Sequence, residues 1–353
     1  MNPFIEGTHV QWAWDSTALG TFKECARKYY YVMIRGFRSR GESPHLTFGI
    51  HYHSALEHYD KVRALGMDHE DALRETVKKV MLDTWVDREY EYYEKIPMSE
   101  SQSGFLHHIR YGKNPVSDDG VVGIPVPDTG SAWESDHNLK TRANLLRSVV
   151  WYLEEFAHDP AKTIILANGQ PAVELSFRFE VSPTLVLCGH LDRLVEWNEG
   201  TYVMDRKTST TTLSSYYFDQ YEPDNQMSLY TLAGRLVYNS PVRGVVIDAA
   251  QIAVGFTRFD RGLTYRTESQ LYEWLEDTQH WIRIASEMAQ DYGVRLEEDQ
   301  RFPESAFPLN DKSCHKYGGC QFRHVCARSP EVRESFLQSD FEVRPWNPLI
   351  PRI

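Results

Sequence analysis

The chain predicts an α/β fold in which a mixed β-sheet core is flanked by helices, and three observations lead there. Between Ala172 and Arg266, short segments with alternating apolar residues read as strands. From Phe48 to His158 apolar residues recur instead at helical spacing, so a mostly helical lobe is expected beside the sheet. Near the C-terminus, three of the five cysteines crowd into SCHKYGGCQFRHVCA, which marks a cysteine-cluster region.

With 353 residues the chain can bury a sizeable core. No apolar run approaches the ~18 residues of a membrane span, and MNPFIEGTHVQWAW lacks the layout of a signal peptide. A cytoplasmic protein without membrane association is expected. The net charge of −12 argues against general phosphate binding. Distribution matters more, because Lys23, Arg27, Lys28, Arg35, Arg38 and Arg40 form a basic strip opposed only by Glu24. On its own that strip reads as a solvated helix face. The expected organisation is 1–47, an N-terminal helix with the basic strip; 48–160, the helical lobe; 161–295, the sheet core; and 296–353, the cysteine region and tail.

Taken in order, Asp15 or Ser16 caps a helix running to Phe37, with Leu19, Phe22, Ala26, Tyr29 and Tyr30 at helical spacing and Cys25 on it. Gly41–Pro44 breaks it, and a second helix covers Phe48–Leu65, where His53 and Glu57 share a face. Further helices are predicted over Asp68–Tyr93, Ser101–Tyr111 and Ser135–His158, with Pro115–Ser131 a loop or short hairpin. Ala172–Val181 is the first strand of the core. Leu185–Trp197 and Thr201–Thr208 form a hairpin across Asn198-Glu199-Gly200. Then come a helix at Asp224–Tyr238, strands at Gly244–Val254 and Thr257–Arg266, a long helix at Glu268–Tyr292 and an irregular tail from Ser329.

The hairpin carries the chemistry. Side chains alternate across a strand, so Asp205 and Lys207 share one face while Met204 and Arg206 take the other. Asp192 on the partner strand joins them if the register allows, and Glu174 leads the polar face of the preceding strand. Buried charges are costly unless paired or bound to a metal. Two carboxylates and an ammonium in one spot therefore suit a metal site with a lysine beside it that acts on water. Gln226 and Tyr230, four apart on a helix, lie on one side of it. Cys314, Cys320 and Cys326 point to a metal or cluster, since the expected compartment disfavours structural disulfides. Cys188, inside a strand, reads as a small buried residue, which leaves Cys25 as the fourth thiolate.

Together these residues resemble the RecB-type branch of the PD-(D/E)xK nuclease superfamily. The pattern is similar to that of its iron–sulfur members, such as the AddB nuclease domain and the nuclease of CRISPR spacer acquisition. FGIHYHSALEHY resembles the family's G-x-x-x-H-x-x-L-E motif and selects His53; GHLDRL matches G-x-x-D-R at Asp192; VMDRKTS matches D-x-K at Asp205 and Lys207; QMSLY matches Q-x-x-x-Y at Gln226 and Tyr230. Each motif alone is weak, and their order and spacing carry the likeness.

The resemblance implies a restriction-endonuclease-like mixed sheet with a helical insertion lobe, and a metal-dependent DNA nuclease acting on single strands or free ends. His53, Asp192 and Asp205 would hold Mg²⁺ or Mn²⁺, Lys207 would act on the attacking water, and Glu174 would be a further carboxylate of the catalytic set or an exposed strand acid. Gln226 and Tyr230, with Arg27, Lys28 and Arg35, would contact DNA; Gln226 and Tyr230 could equally buttress the site. Cys25, Cys314, Cys320 and Cys326 would hold a 4Fe–4S cluster. Their C-x5-C-x5-C spacing departs from the two-residue first gap frequent in those nucleases and keeps zinc as the alternative. A helicase or recombination protein is the implied partner, in recombination, repair or DNA processing. The competing reading is a non-cleaving module that binds DNA ends or a partner on the same fold.

Overall fold

The sheet core is built from β1 (Ala13–Trp14), β2 (Lys162–Thr163), β3 (Val173–Ser182), β4 (Leu185–Trp197), β5 (Gly200–Ser209), β6 (Val242–Ile252) and β7 (Thr257–Tyr265). These coordinates are a computed structural model that describes residues 2–41, 43–86, 90–91, 124–125 and 130–350. The main helices are α1 (Ser16–Glu24), α2 (Pro44–Ala64), α3 (His69–Asp83), α4 (Arg142–Glu155), α5 (Asn225–Leu236) and α6 (Glu268–Glu297). The seven strands form one mixed sheet in the order β1-β4-β5-β6-β7, with β2 and β3 also pairing with β4. This is the mixed α/β architecture that the sequence predicts, consistent with a restriction-endonuclease-like core.

The β4–β5 hairpin turns at Asn198 and Glu199, whose φ angles of 47° and 58° are both positive. Such a two-residue turn matches the twist of its strands. The ladder runs only from Gly200↔Trp197 to Met204↔Arg193. Beyond that point β5 stays paired to β6, in parallel, across Asp205↔Ile247 and Lys207↔Ala249. A parallel neighbour needs a crossover, and α5 supplies it. Gly189 marks a close approach, since a Cβ there would stand 2.9 Å from the Phe177 ring on β3.

One apolar cluster joins the sheet, through Phe177, Leu191 and Val203, to α1, α5 and α6. A second cluster fills the space between α2, α3 and α4 and reaches the sheet at Ala250 and Ile252. The helix bearing His53 is thus packed on both the lobe and the core.

Several boundaries differ from expectation. The first helix is interrupted at Cys25, which is extended (φ −163°, ψ 116°), and resumes as a short α-helix and then a π-helical turn, Tyr30–Ile34. Pro44 does not break a helix but begins α2, since its missing N–H is not needed in a first turn. The helix expected over Asp68–Tyr93 stops at Asp83, where Trp85–Val86 pairs with Ser131–Ala132 and Tyr90–Glu91 with Ile124–Pro125. The predicted helix at Ser101–Tyr111 and most of the Pro115–Ser131 segment lie outside the described residues. The tail is ordered as a helix, Pro330–Asp340, and a strand, Phe341–Val343, paired with Phe37–Ser39. Among the described residues no helix is long and apolar enough to cross a membrane.

Candidate active site

The site forms where β4 and β5 part. Asp192 follows Leu191 at the end of the β4–β5 ladder, and its Oδ2 accepts the Arg206 backbone N–H at 2.9 Å. Glu174 lies across from Asp192 on β3, between the pairs Val173↔Arg193 and Leu175↔Leu191. His53 reaches in from α2, with Nδ1 3.2 Å from Asp192 Oδ2. One ligand atom from each of His53, Glu174 and Asp192 lies within 4.8 Å of the others. Glu174 stands at φ 53°, in the left-handed region that a side-chain-bearing strand residue rarely adopts. Strain of this kind persists where surrounding contacts impose it, and it concentrates at functional sites.

Asp205 is beside this group, and Lys207 Nζ contacts its Oδ2 at 2.5 Å. Gln226 Oε1 accepts from the same ammonium at 2.8 Å, while Gln226 Nε2 donates to the Tyr230 hydroxyl at 3.0 Å. A hydrogen-bonded chain therefore runs from Tyr230 through Gln226 to Lys207. Tyr230 is buried against the edge of Phe177. That burial leaves little of the ring open to a ligand, while its hydroxyl is engaged by Gln226. The side chain of Asp224 caps α5 by accepting from Met227 N, which fixes the turn carrying Gln226.

Burial and charge pull the four ionisable groups in different directions. Burial raises the Asp205 carboxyl, to about 6, against the opposing pull of Lys207. Burial would raise Asp192 too, but His53 and Lys207 outweigh it and hold that carboxyl below its ordinary value. His53 and Lys207 are penalised by burial yet are raised by Asp192 and Asp205 respectively. The neighbourhood is a compact set of mutually dependent charges.

The four cysteines singled out in the sequence line one pocket together with Tyr31, Asn310 and Phe322. The extended backbone at Cys25 separates two helical pieces, and its Sγ accepts the Asn310 N–H at 3.4 Å. No disulfide joins any of the five cysteines, and Cys188 is buried elsewhere, in β4. Burial pushes the Cys326 thiol up to about 11, while Arg27 and Arg333 act in the opposite sense.

The basic strip is only in part a solvated face, with Lys23 and Arg40 exposed and the other four partly or fully buried. Arg27 is buried, with Nε donating to the Phe307 carbonyl, so it is not placed to meet a phosphate. Arg35 holds Glu334 through two hydrogen bonds, of 2.8 and 3.3 Å, and Lys28 pairs with Glu24 at 2.6 Å. Arg38 lies over the Trp346 ring, and Arg40 donates to the Gln338 carbonyl. Much of the strip thus binds the N-terminal segment to the C-terminal region. Sequence reasoning missed Asp60, which sits seven residues after His53 on the same helix face and ion-pairs with Arg206 at 2.5 Å. Its spacing from His53 was the available signal.

The family model of the PD-(D/E)XK nuclease superfamily matches residues 14–327. Comparison with curated proteins found no match. Among solved structures, the chain is similar to a presumed exonuclease from Eubacterium rectale, at 11% identity and a TM-score of 0.38, over 77% of this chain and 80% of that one.

Proposed function

Because the chain belongs to the PD-(D/E)XK nuclease superfamily, we propose that it is a Mg²⁺- or Mn²⁺-dependent deoxyribonuclease, acting as an exonuclease on single-stranded DNA or free ends. The observation that carries this reading is the meeting of His53, Glu174 and Asp192 beside the Asp205–Lys207 pair. One imidazole and hard carboxylate oxygens suit Mg²⁺ or Mn²⁺ as donors. His53, Asp192 and Glu174 would hold the ion, with Asp205 adjoining. When bound, the ion lowers the pKa of a water and neutralises charge on the scissile phosphate.

The remaining work falls to the chain's own groups. Lys207 presents a cation where negative charge develops on the phosphate, and its Nζ is aimed by Asp205 and Gln226. Tyr230 fixes the amide of Gln226, and so the direction of that ammonium.

The cysteine pocket supports the assignment of a 4Fe–4S cluster held by Cys25, Cys314, Cys320 and Cys326. Its role is that of a staple, joining the N-terminal helices to the C-terminal segment. These are also the regions that Arg35–Glu334 and the Phe341–Val343 strand hold together.

The test is cleavage of end-labelled single- and double-stranded DNA with and without Mn²⁺, comparing wild type with Lys207→Ala at matched iron content. Metal-dependent products from wild type, reduced at least 100-fold in the variant, are expected. Equal cleavage by both proteins would remove Lys207 from the mechanism, and DNA binding without cleavage by either would favour a binding module.

A further inference from the structure

Behind the site lies a closed ring of alternating charges. Asp60 on α2 meets Arg206 on β5 at 2.5 Å, and Arg206 Nε approaches Asp248 on β6 at 3.9 Å. Asp248 meets Arg261 on β7 at 3.1 Å, and Arg261 meets Asp159, after α4, at 2.8 Å. Asp159 approaches Arg193 on β4 at 3.7 Å, and Arg193 returns to Asp60 at 3.3 Å. Each arginine contacts two aspartates and each aspartate two arginines. None of the six side chains is more than 13% exposed.

Replacing a buried ion pair with apolar residues is often neutral or stabilising, so stability alone is weak grounds for such a ring. Its connections suggest another purpose. Two members, Arg193 and Arg206, immediately follow Asp192 and Asp205 and point to the opposite face of their strands. A third, Asp60, stands two turns beyond His53 on α2. Arg206 is gripped at both ends, since its backbone N–H holds Asp192 Oδ2 at 2.9 Å while its guanidinium holds Asp60.

We infer that Asp60, Arg193 and Arg206 are positioning residues, and that the ring sets the spacing between His53 on α2 and the carboxylates of β4 and β5 before a divalent ion arrives. This deepens the reading under Proposed function and rests on it. The ring takes no part in the chemistry. It acts by orienting ligands, and loss of partners of that kind typically weakens metal binding 10–100-fold.

The experiment measures Mn²⁺ affinity directly, by electron paramagnetic resonance of free Mn²⁺, on full-length protein held well below its melting temperature. Asp60→Asn keeps the shape and removes the charge that Arg193 and Arg206 share. It is expected to weaken Mn²⁺ binding at least about 10-fold in protein that is still folded. Arg206→Lys keeps the positive charge but loses the planar fork that serves two aspartates. It is expected to act in the same direction, and it carries the test if Asp60→Asn does not fold. Wild-type Mn²⁺ affinity in a folded variant, accompanied only by a lower melting temperature, would overturn the inference and leave the ring a packing feature. A wild-type protein that binds no Mn²⁺ would overturn the metal site itself, and the positioning role with it. Measuring wild type and variants side by side separates the two failures.

Discussion

The φ of 53° at Glu174 sets two substitutions against each other. At an ordinary strand position alanine is favoured over glycine by roughly 0.5–1 kcal/mol, because glycine loses more backbone freedom on folding. A left-handed φ costs a residue with a Cβ about 1–2 kcal/mol, which glycine escapes. Glu174→Gly and Glu174→Ala remove the same carboxylate, so their difference isolates the backbone. The expected order is inverted, with Glu174→Gly the more stable by up to about 1.5 kcal/mol. Urea unfolding without divalent metal reads this directly, provided both variants show the same m-value. Glu174→Ala equal to or more stable than Glu174→Gly by the ordinary margin would refute a strained backbone there. The same samples test the carboxylate. Mn²⁺ at 100 times the wild-type Kd should stabilise wild type by about 2.7 kcal/mol. A 100-fold loss of affinity would leave either variant about 0.4 kcal/mol of that gain.

Lys140 is 1% exposed, its Nζ lies 4.3 Å from the centre of the Phe48 ring, and among the described residues that nitrogen has no hydrogen-bond partner. Burial lowers its pKa from 10.5 to about 8, a cost of about 3 kcal/mol for the charged form at ~1.36 kcal/mol per pH unit. The ring returns roughly 1–2 kcal/mol, so Lys140→Met should stabilise the protein by about 1–2 kcal/mol at pH 7. Between pH 8 and 10.5 the folded wild type sheds a proton that the unfolded chain keeps, so its stability rises with pH and the variant's advantage shrinks. An equal advantage in denaturant melts at pH 7 and pH 10 would exclude a buried charge as its source. Cys320→Ser should lower both bound iron and melting temperature, and a soluble variant with full iron content would count against a cluster held by that thiol.

Strand periodicity and turn chemistry were local, and so they were readable. The hairpin at Asn198–Glu199, the face shared by Asp205 and Lys207, and the crossover helix carrying Gln226 all follow from short-range rules. What escaped prediction depends on partners distant in sequence. The basic strip has the composition of a solvated helix face, yet Arg35 is occupied by Glu334, 299 residues away. Cys25 interrupts its helix beside Asn310, which no local propensity could announce. Asp60 and Asp248 looked like unremarkable acids until the fold brought arginines to them. Glu174 could be read either as a ligand or as an exposed acid, and its place opposite Asp192 is a matter of register, which alternation alone does not set.

The distance between Cys25 and its companions also orders events in time. Asn310, which touches its sulfur, lies 285 residues further along the chain. At ~5–20 residues per second, synthesis takes roughly 15–60 s to cover that distance. Throughout that interval the first thiol has none of its three neighbours from the pocket. A chain released before Cys326 leaves the pocket incomplete however well the sheet has formed. The pocket therefore records whether synthesis has passed Cys326, and a ribosome stalled inside α6 yields a protein with every residue of the candidate active site but a thiol at position 25 still without its three companions.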